Sequence, residues 1–202
     1  MAREVFQEKM TEEEGLAAAL AADLDAHFEH VVRVFQDRLY GFALRLTRNP
    51  QDAEESAQDA FVRAYRALEN YGTEQRRTLL LKPWLYRITL NVVRNRVRRP
   101  SLNLVSVDGH VADRLVDDDW TEQPEAITEA IERHRELERL VAELPPRYGT
   151  AVVLRHVQGL SYAEAADVLG QPVGTTKSDV HRGLRLLREA LEDREPLLAG
   201  RR

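Results

Sequence analysis

The chain has 202 residues, 43% of them hydrophobic, which is enough apolar material for one domain or two small ones. It contains no cysteine, so disulfides, thiolate catalysis and cysteine-ligated zinc are excluded, and its six histidines are scattered, so neither a metal site nor a cofactor is expected. The net charge of −5 is segregated: residues 74–99 carry eight basic groups against one acid, residues 171–188 four against one, and residues 108–125 seven acids against Arg114. Two segments therefore attract phosphate while a third repels it.

At the N-terminus, MAREVFQEKMTEEEGLAAALAADLD is acidic where a signal peptide is basic, and its apolar run LAAALAA has only seven residues. No stretch approaches the ~20 apolar residues of a spanning helix, so a cytoplasmic protein without membrane insertion is expected. Residues 1–23 read as an extension, either a loosely held helix or disordered. Long 3.6-residue periodicities, few glycines and little β-branched alternation predict an all-α fold of two small helical domains joined by a flexible acidic linker.

The first long helix is marked by Leu24, Phe28, Val31, Phe35, Leu39, Phe42 and Leu46 on one stripe, ended by Asn49-Pro50. Asn49 can cap a second helix running to about Tyr71, with Pro50 in its first turn. On its wheel Ala53, Ala57, Ala60, Phe61, Ala64 and Leu68 share one side, and Asp52, Glu55 and Asp59 the other. The acidic side is either ordinary solvated charge near a helix N-terminus or a docking face for a basic partner.

A loop over residues 72–82 with Arg76-Arg77 leads to Pro83, which suits the first turn of a third helix, PWLYRITLNVVRNRVRR. Leu85, Ile88 and Val92 fall on its core side, while Trp84, Arg87, Asn91, Arg94, Asn95 and Arg98 share the opposite arc. Guanidiniums pair with phosphate, amides read base edges, and an aromatic face stacks on an unpaired base, so this combination suits melted DNA. The alternative is that Trp84 is a core anchor and the arginines solubilise the helix.

Residues 101–126, with turn residues and the block Asp117-Asp118-Asp119, read as the linker, and a second helical domain spans residues 127–194. Within it, LSYAEAADVLGQPVGTTKSDVHRG has the layout of a helix-turn-helix. Ser161 with Glu164 forms a capping box, Gly170 offers a left-handed stop, Pro172 and Gly174 shape the turn, and Thr175 can cap the next helix. On that helix Val180, Leu184, Leu187 and Leu191 form an apolar stripe, and Lys177, Ser178, His181, Arg182, Arg185 and Arg188 a basic arc. Asp179 flanks that arc, where phosphate repels it unless Arg182 neutralises it. Residues 195–202 read as a tail.

In order along residues 24–192, LYGFALRLTRNPQDAEESAQDAFVRAYRAL, PWLYRITLNVVRNRVRR and LPPRYGTAVVLRHVQGLSYAEAADVLGQPVGTTKSDVHRGLRLLREAL resemble three parts of the extracytoplasmic-function (ECF) sigma factors of bacterial RNA polymerase. They are similar to the polymerase-binding part of sigma region 2, its promoter-melting helix, and region 4. The resemblance implies that Asp52, Glu55 and Asp59, with Gln58 and Arg63, dock on core RNA polymerase. It implies that Asn91 and Asn95, with the loop around Glu74 to Lys82, capture an unstacked non-template base of the minus-10 element beside Trp84, Arg87, Arg94 and Arg98. Lys177, Ser178, His181, Arg182 and Arg185 would lie over the minus-35 element of promoter DNA, with the turn from Pro172 to Thr175 presenting its backbone N–H groups, those after the proline, to phosphate. Departures from the family pattern are Asp179 where a basic residue is common, Gly183 where alanine is usual, and Ser56-Ala57 where bulkier residues are usual.

No sensory module is expected, so regulation is assigned to a partner, an anti-sigma factor. A stand-alone helix-turn-helix regulator is the rival reading, but it leaves residues 84–98 and the acidic face unused. Enzymatic action on a small-molecule substrate is not expected, because no carboxylate pair, nucleophile with base, or phosphate-binding glycine loop stands at usable spacing.

Overall fold

The computed structural model describes residues 15–98 and 124–199, and every regular element among them is helical. Two compact units divide between Leu104 and Val105.

In the first unit α1 (residues 15–22) leads into α2 (Leu24–Thr47), followed by α3 (Pro50–Glu69), α4 (Thr73–Arg77) and α5 (Leu81–Arg98). The residues expected to form a loose extension do not all do so. Leu16 and Leu20 are buried and continue, at spacing four, into buried Leu24, so the short apolar run is part of the core. Asp23 caps α2 by accepting from the Ala26 N–H at 3.0 Å, and Arg48 closes it with a left-handed φ of 55°. Asn49 then caps α3, accepting from the Gln51 and Asp52 N–H groups at 2.9 and 3.1 Å, with Pro50 in the first turn.

α2, α3 and α5 pack against one another. Val31, Phe35, Leu39 and Phe42 are fully buried, and the Phe42 and Tyr86 rings meet edge to face at 5.1 Å. Ala53, Ala57, Ala60 and Ala64 form the buried side of α3, where small side chains let the helices approach closely. Ser56 is also buried, its hydroxyl donating to the Asp52 carbonyl one turn back. The expected wheels of α2 and α3 hold, with Phe28, Leu46 and Phe61 half-buried at the rim.

The second unit contains α6 (Pro124–Glu143), α7 (Pro146–Val152) with a π turn at Val153–Val157, α8 (Tyr162–Leu169) and α9 (Val173–Ala199). α6 starts inside the expected linker because Pro124, with no N–H to lose, suits a first helical position. α9 likewise runs to Ala199, into the expected tail. The remainder of the expected linker, residues 101–123, lies outside the described residues, as do Arg99 and Pro100 before it. Leu140, Leu144, Val152 and Leu187 form one buried cluster of this unit's core, which also includes Leu154, Leu160 and Val180. On α9 Val180 and Leu187 are buried, but Leu191 is 44% exposed, so the apolar stripe ends a turn earlier than expected.

Candidate polymerase and DNA interfaces

The acidic side of α3 is exposed at Glu55, Gln58, Asp59 and Arg63 and half-exposed at Asp52. It is not all free charge. Arg96, from the end of α5, donates to Asp52 Oδ1 at 3.2 Å and to Glu55 Oε2. Glu55 also accepts from Gln51 Nε2 at 3.2 Å. The Arg96 hydrogen bond, seconded by Gln51, holds the Glu55 carboxyl below its ordinary pKa, and the Glu55 partner raises that of Arg96. These groups are only partly covered, so water and salt screen the pair, and its main effect is to fix which side of α5 lies along α3. Arg96 was not among the expected site residues. Its signal is on the α5 wheel, where it falls about 20° from Leu85, a cation on the core side that needs a carboxylate from a neighbouring helix.

On α5 the structure exposes Asn91, Arg94, Asn95 and Arg98 together and leaves Arg87 half-buried. Trp84 departs from that set. It is 6% exposed and its ring lies 6.0 Å from that of Tyr71, so it anchors the chain leaving α3 and offers no face for a base to stack on. Arg76 supports the same corner, its Nε donating to the Leu68 carbonyl at 2.8 Å at the end of α3. Leu80, 67% exposed, is the apolar side chain nearest in sequence to the start of α5 that remains in solvent.

The helix-turn-helix is α8, a tight turn and the first half of α9. The capping box is present: Ser161 Oγ accepts from the Glu164 N–H at 3.2 Å, and the Glu164 carboxylate accepts from the Ser161 N–H at 2.7 Å. Gly170 ends α8 at φ 68°, ψ 38°, a conformation that costs a side chain but not glycine. α9 starts at Val173, so Pro172 stands before the first helical residue, and Thr175 is a first-turn residue rather than the expected cap. The Pro172 carbonyl accepts from the Thr176 N–H at 3.0 Å.

Lys177, Ser178, His181, Arg182 and Arg185 are exposed along one side of α9. Several are held in place. Lys177 Nζ and the Arg155 guanidinium stand 5.7 and 5.1 Å from the Tyr162 ring centre, and Ser178 Oγ donates back to the Gly174 carbonyl at 3.0 Å. Arg185 pairs with Glu189 at 3.5 Å.

Asp179 behaves differently from the expectation. It is turned inward rather than toward solvent and does not pair with Arg182; it is 1% exposed and accepts from Arg147 Nε at 2.8 Å and Gln171 Nε2 at 3.1 Å. Arg182 instead reaches the Tyr148 hydroxyl at 3.4 Å. The reason is the helical phase of Asp179, which lies on the same line of α9 as Gly183 and Leu187, the line that faces α7.

With the geometry in view, the comparisons with known proteins are consistent. Residues 31–101 match the model of Sigma-70 region 2 and residues 134–187 that of Sigma-70, region 4. The chain is 31% identical over 179 residues to the ECF RNA polymerase sigma factor SigW of Bacillus subtilis, covering 85% of this chain and 91% of SigW. The chain belongs to the ECF group of RNA polymerase sigma factors.

It is also 36% identical over 166 residues to the ECF sigma factor SigE of Mycolicibacterium smegmatis, covering 81% of this chain and 61% of that protein. The sigma factor RpoE of Bartonella quintana, solved in complex with the anti-sigma factor NepR, shares the fold with a TM-score of 0.62 at 23% identity over 82% of this chain and 96% of RpoE. As an ECF sigma factor the chain binds core RNA polymerase and directs initiation at promoters. A stand-alone helix-turn-helix regulator accounts for the second unit only and is not favoured. Among the described residues no helix is long and apolar enough to cross a membrane.

Proposed function

We propose a division of labour among the three faces. The α3 side carrying Asp52, Glu55, Gln58, Asp59 and Arg63 docks on core polymerase. Asn91 and Asn95 of α5 read bases of the minus-10 element once it is melted, while Arg87, Arg94 and Arg98 hold the adjoining phosphates. Lys177, Ser178, His181, Arg182 and Arg185 lie over the minus-35 element, with the first N–H groups of α9, over residues 173–175, directed at phosphate beside Pro172.

The observation that carries this reading is the pairing in the first unit of an exposed acidic face on α3 with exposed amides and arginines on the adjacent α5. A regulator that only binds duplex DNA has no use for either. The protein acts in the cytoplasm, and an anti-sigma factor restrains it, a partner of the kind that RpoE of Bartonella quintana holds in NepR. The test compares gel-shift binding by the free protein with run-off transcription by its complex with core polymerase at one salt concentration. Weak binding alone with active initiation in the complex is expected; tight sequence-specific binding by the free protein, without initiation, overturns the proposal.

A further inference from the structure

Asp179 is a buried acid on the helix assigned to minus-35 DNA, and it ties three elements together. Arg147 reaches it from the first turn of α7 and Gln171 from the helix-turn-helix turn, at 2.8 and 3.1 Å. Gln171 also donates to the hydroxyl of buried Thr176 at 3.1 Å, one residue before Lys177. One turn beyond Asp179, Gly183 has no Cβ, and one placed there stands 2.5 Å from Val152 Cγ2 and 3.3 Å from the Tyr148 carbonyl of α7. The next turn brings Leu187 into the core formed with Val152. Asp179, Gly183 and Leu187 thus make a continuous seam between α9 and α7, and of the three only Asp179 makes directional, charge-assisted contacts.

We propose that Asp179, through Arg147 and Gln171, is a positioning residue for promoter recognition: it sets the rotation and axial position of α9, and so where Lys177, Ser178, His181 and Arg182 fall on the minus-35 bases. Non-directional packing at Gly183 and Leu187 lets the helix roll by small amounts. A carboxylate gripped from two elements does not. Base readout depends on hydrogen-bond geometry within tenths of an ångström, whereas phosphate attraction tolerates a shift, so loss of the lock removes discrimination before it removes affinity. Arg147 and Gln171 then govern promoter choice without being among the base-reading residues.

This inference rests on the assignment of α9 to the minus-35 element, and the test separates the two. Full-length variants are assembled with core polymerase on a promoter drawn from a genomic pool by the wild-type holoenzyme. The ratio of initiation on the intact to the scrambled minus-35 element is then measured. Thermal melting, and initiation on a pre-melted template lacking a minus-35 element, control for folding and docking.

Arg182→Ala tests the assignment; an unchanged ratio overturns it and the lock together. Asp179→Asn and Arg147→Ala should lower the ratio roughly tenfold or more, with initiation on the pre-melted template preserved. The exchange Arg147→Asp with Asp179→Arg should restore much of the ratio, because the pair is re-formed with its charges reversed. If Arg182→Ala loses discrimination while folded Asp179→Asn keeps it, or if the exchanged pair folds and discriminates no better than Arg147→Ala, the lock is wrong and the minus-35 assignment stands.

Discussion

Gly183→Ala tests the packing of α9 on α7 by a change of one methyl group. In an exposed helix interior this substitution is stabilising by about 1 kcal/mol, because glycine loses more backbone freedom on folding. At Gly183 the sign should reverse. The added Cβ lies 2.5 Å from Val152 Cγ2, closer than real Cβ contacts come, and 3.3 Å from the Tyr148 carbonyl oxygen. Val152 is buried and β-branched in a helix, so its χ1 has little freedom to turn the methyl away, and the carbonyl moves only with the α7 backbone.

Overpacking of this kind costs about 1–3 kcal/mol, so after the propensity gain a net loss of roughly 1 kcal/mol is expected. In a unit of this size that lowers Tm by about 4–8 °C. Because the chain folds as two units, calorimetry of the full protein should show the second unit's transition lowered and the first unit's unmoved. Val152→Ala removes the obstructing methyl. In the double variant the Gly183→Ala penalty should therefore shrink by about 1 kcal/mol, a coupling within the range of residues in contact. A Gly183→Ala protein that melts higher than wild type, or penalties that simply add, would refute the close-packing argument.

Three further outcomes follow. Charge reversal of Asp52, Glu55 and Asp59 to lysine should weaken core polymerase binding in a reconstitution assay, but it also sets lysines against Arg96 and lowers the melting temperature. Asp59→Lys alone should weaken docking without that loss, and normal holoenzyme assembly by both variants would reduce the face to solvated charge. Asn91→Ala and Asn95→Ala should impair open-complex formation on a promoter with an intact minus-35 element and erase minus-10 base preference on pre-melted templates; unchanged preference rejects their role. Acidification should destabilise each unit through a named group. Arg96 holds Glu55 below the ordinary carboxylate range, so its contribution is present above that range and lost as pH falls into and below it. His156 is held below its ordinary 6.5 first by burial and then by Arg155, so stability is lost as pH falls from that value towards its lowered one. Arg96→Gln and His156→Gln should flatten the respective pH–Tm slopes, and slopes left unchanged would discard these assignments.

Much of the fold was legible because it is written in periodicity and caps. The α2 stripe, the Asn49-Pro50 boundary, the alanine side of α3 and the Ser161–Glu164 capping box each depend on residues within a turn or two of one another. Exposure of Asn91, Asn95, Lys177 and Arg182 was legible for the same reason. What failed depended on contacts distant in sequence. Trp84 shares a wheel arc with Arg87 and Asn91, and only the fold brings Tyr71 over it. Asp179 looked like an acid facing DNA because Arg147 is thirty-two residues away. The apolar run of residues 16–22 is too short to be recognised as core by itself, and only Leu24, in the next helix, completes its stripe.

The two charges turned toward a neighbouring helix have a common logic. Arg96 is a cation whose partners are the acids of α3, and Asp179 is an acid in the basic half of α9 whose partner is a cation of α7. Asp179 has the sign opposite to the exposed face of its own helix, and Arg96 the sign opposite to the α3 face it lies against. A binding face must be of nearly one sign to attract its target, and like charges do nothing to hold the helix beneath it in register. A misfit charge turned inward, toward a neighbouring helix, supplies directional contacts that a smooth apolar seam lacks. At Asp179 it does so without diluting the field outside, since Arg147 neutralises it, whereas Arg96 takes up part of the acidic face of α3. Removing either misfit should therefore disturb the placement of a binding face more than its net attraction, the opposite of what removing an exposed Arg94 or Arg185 should do.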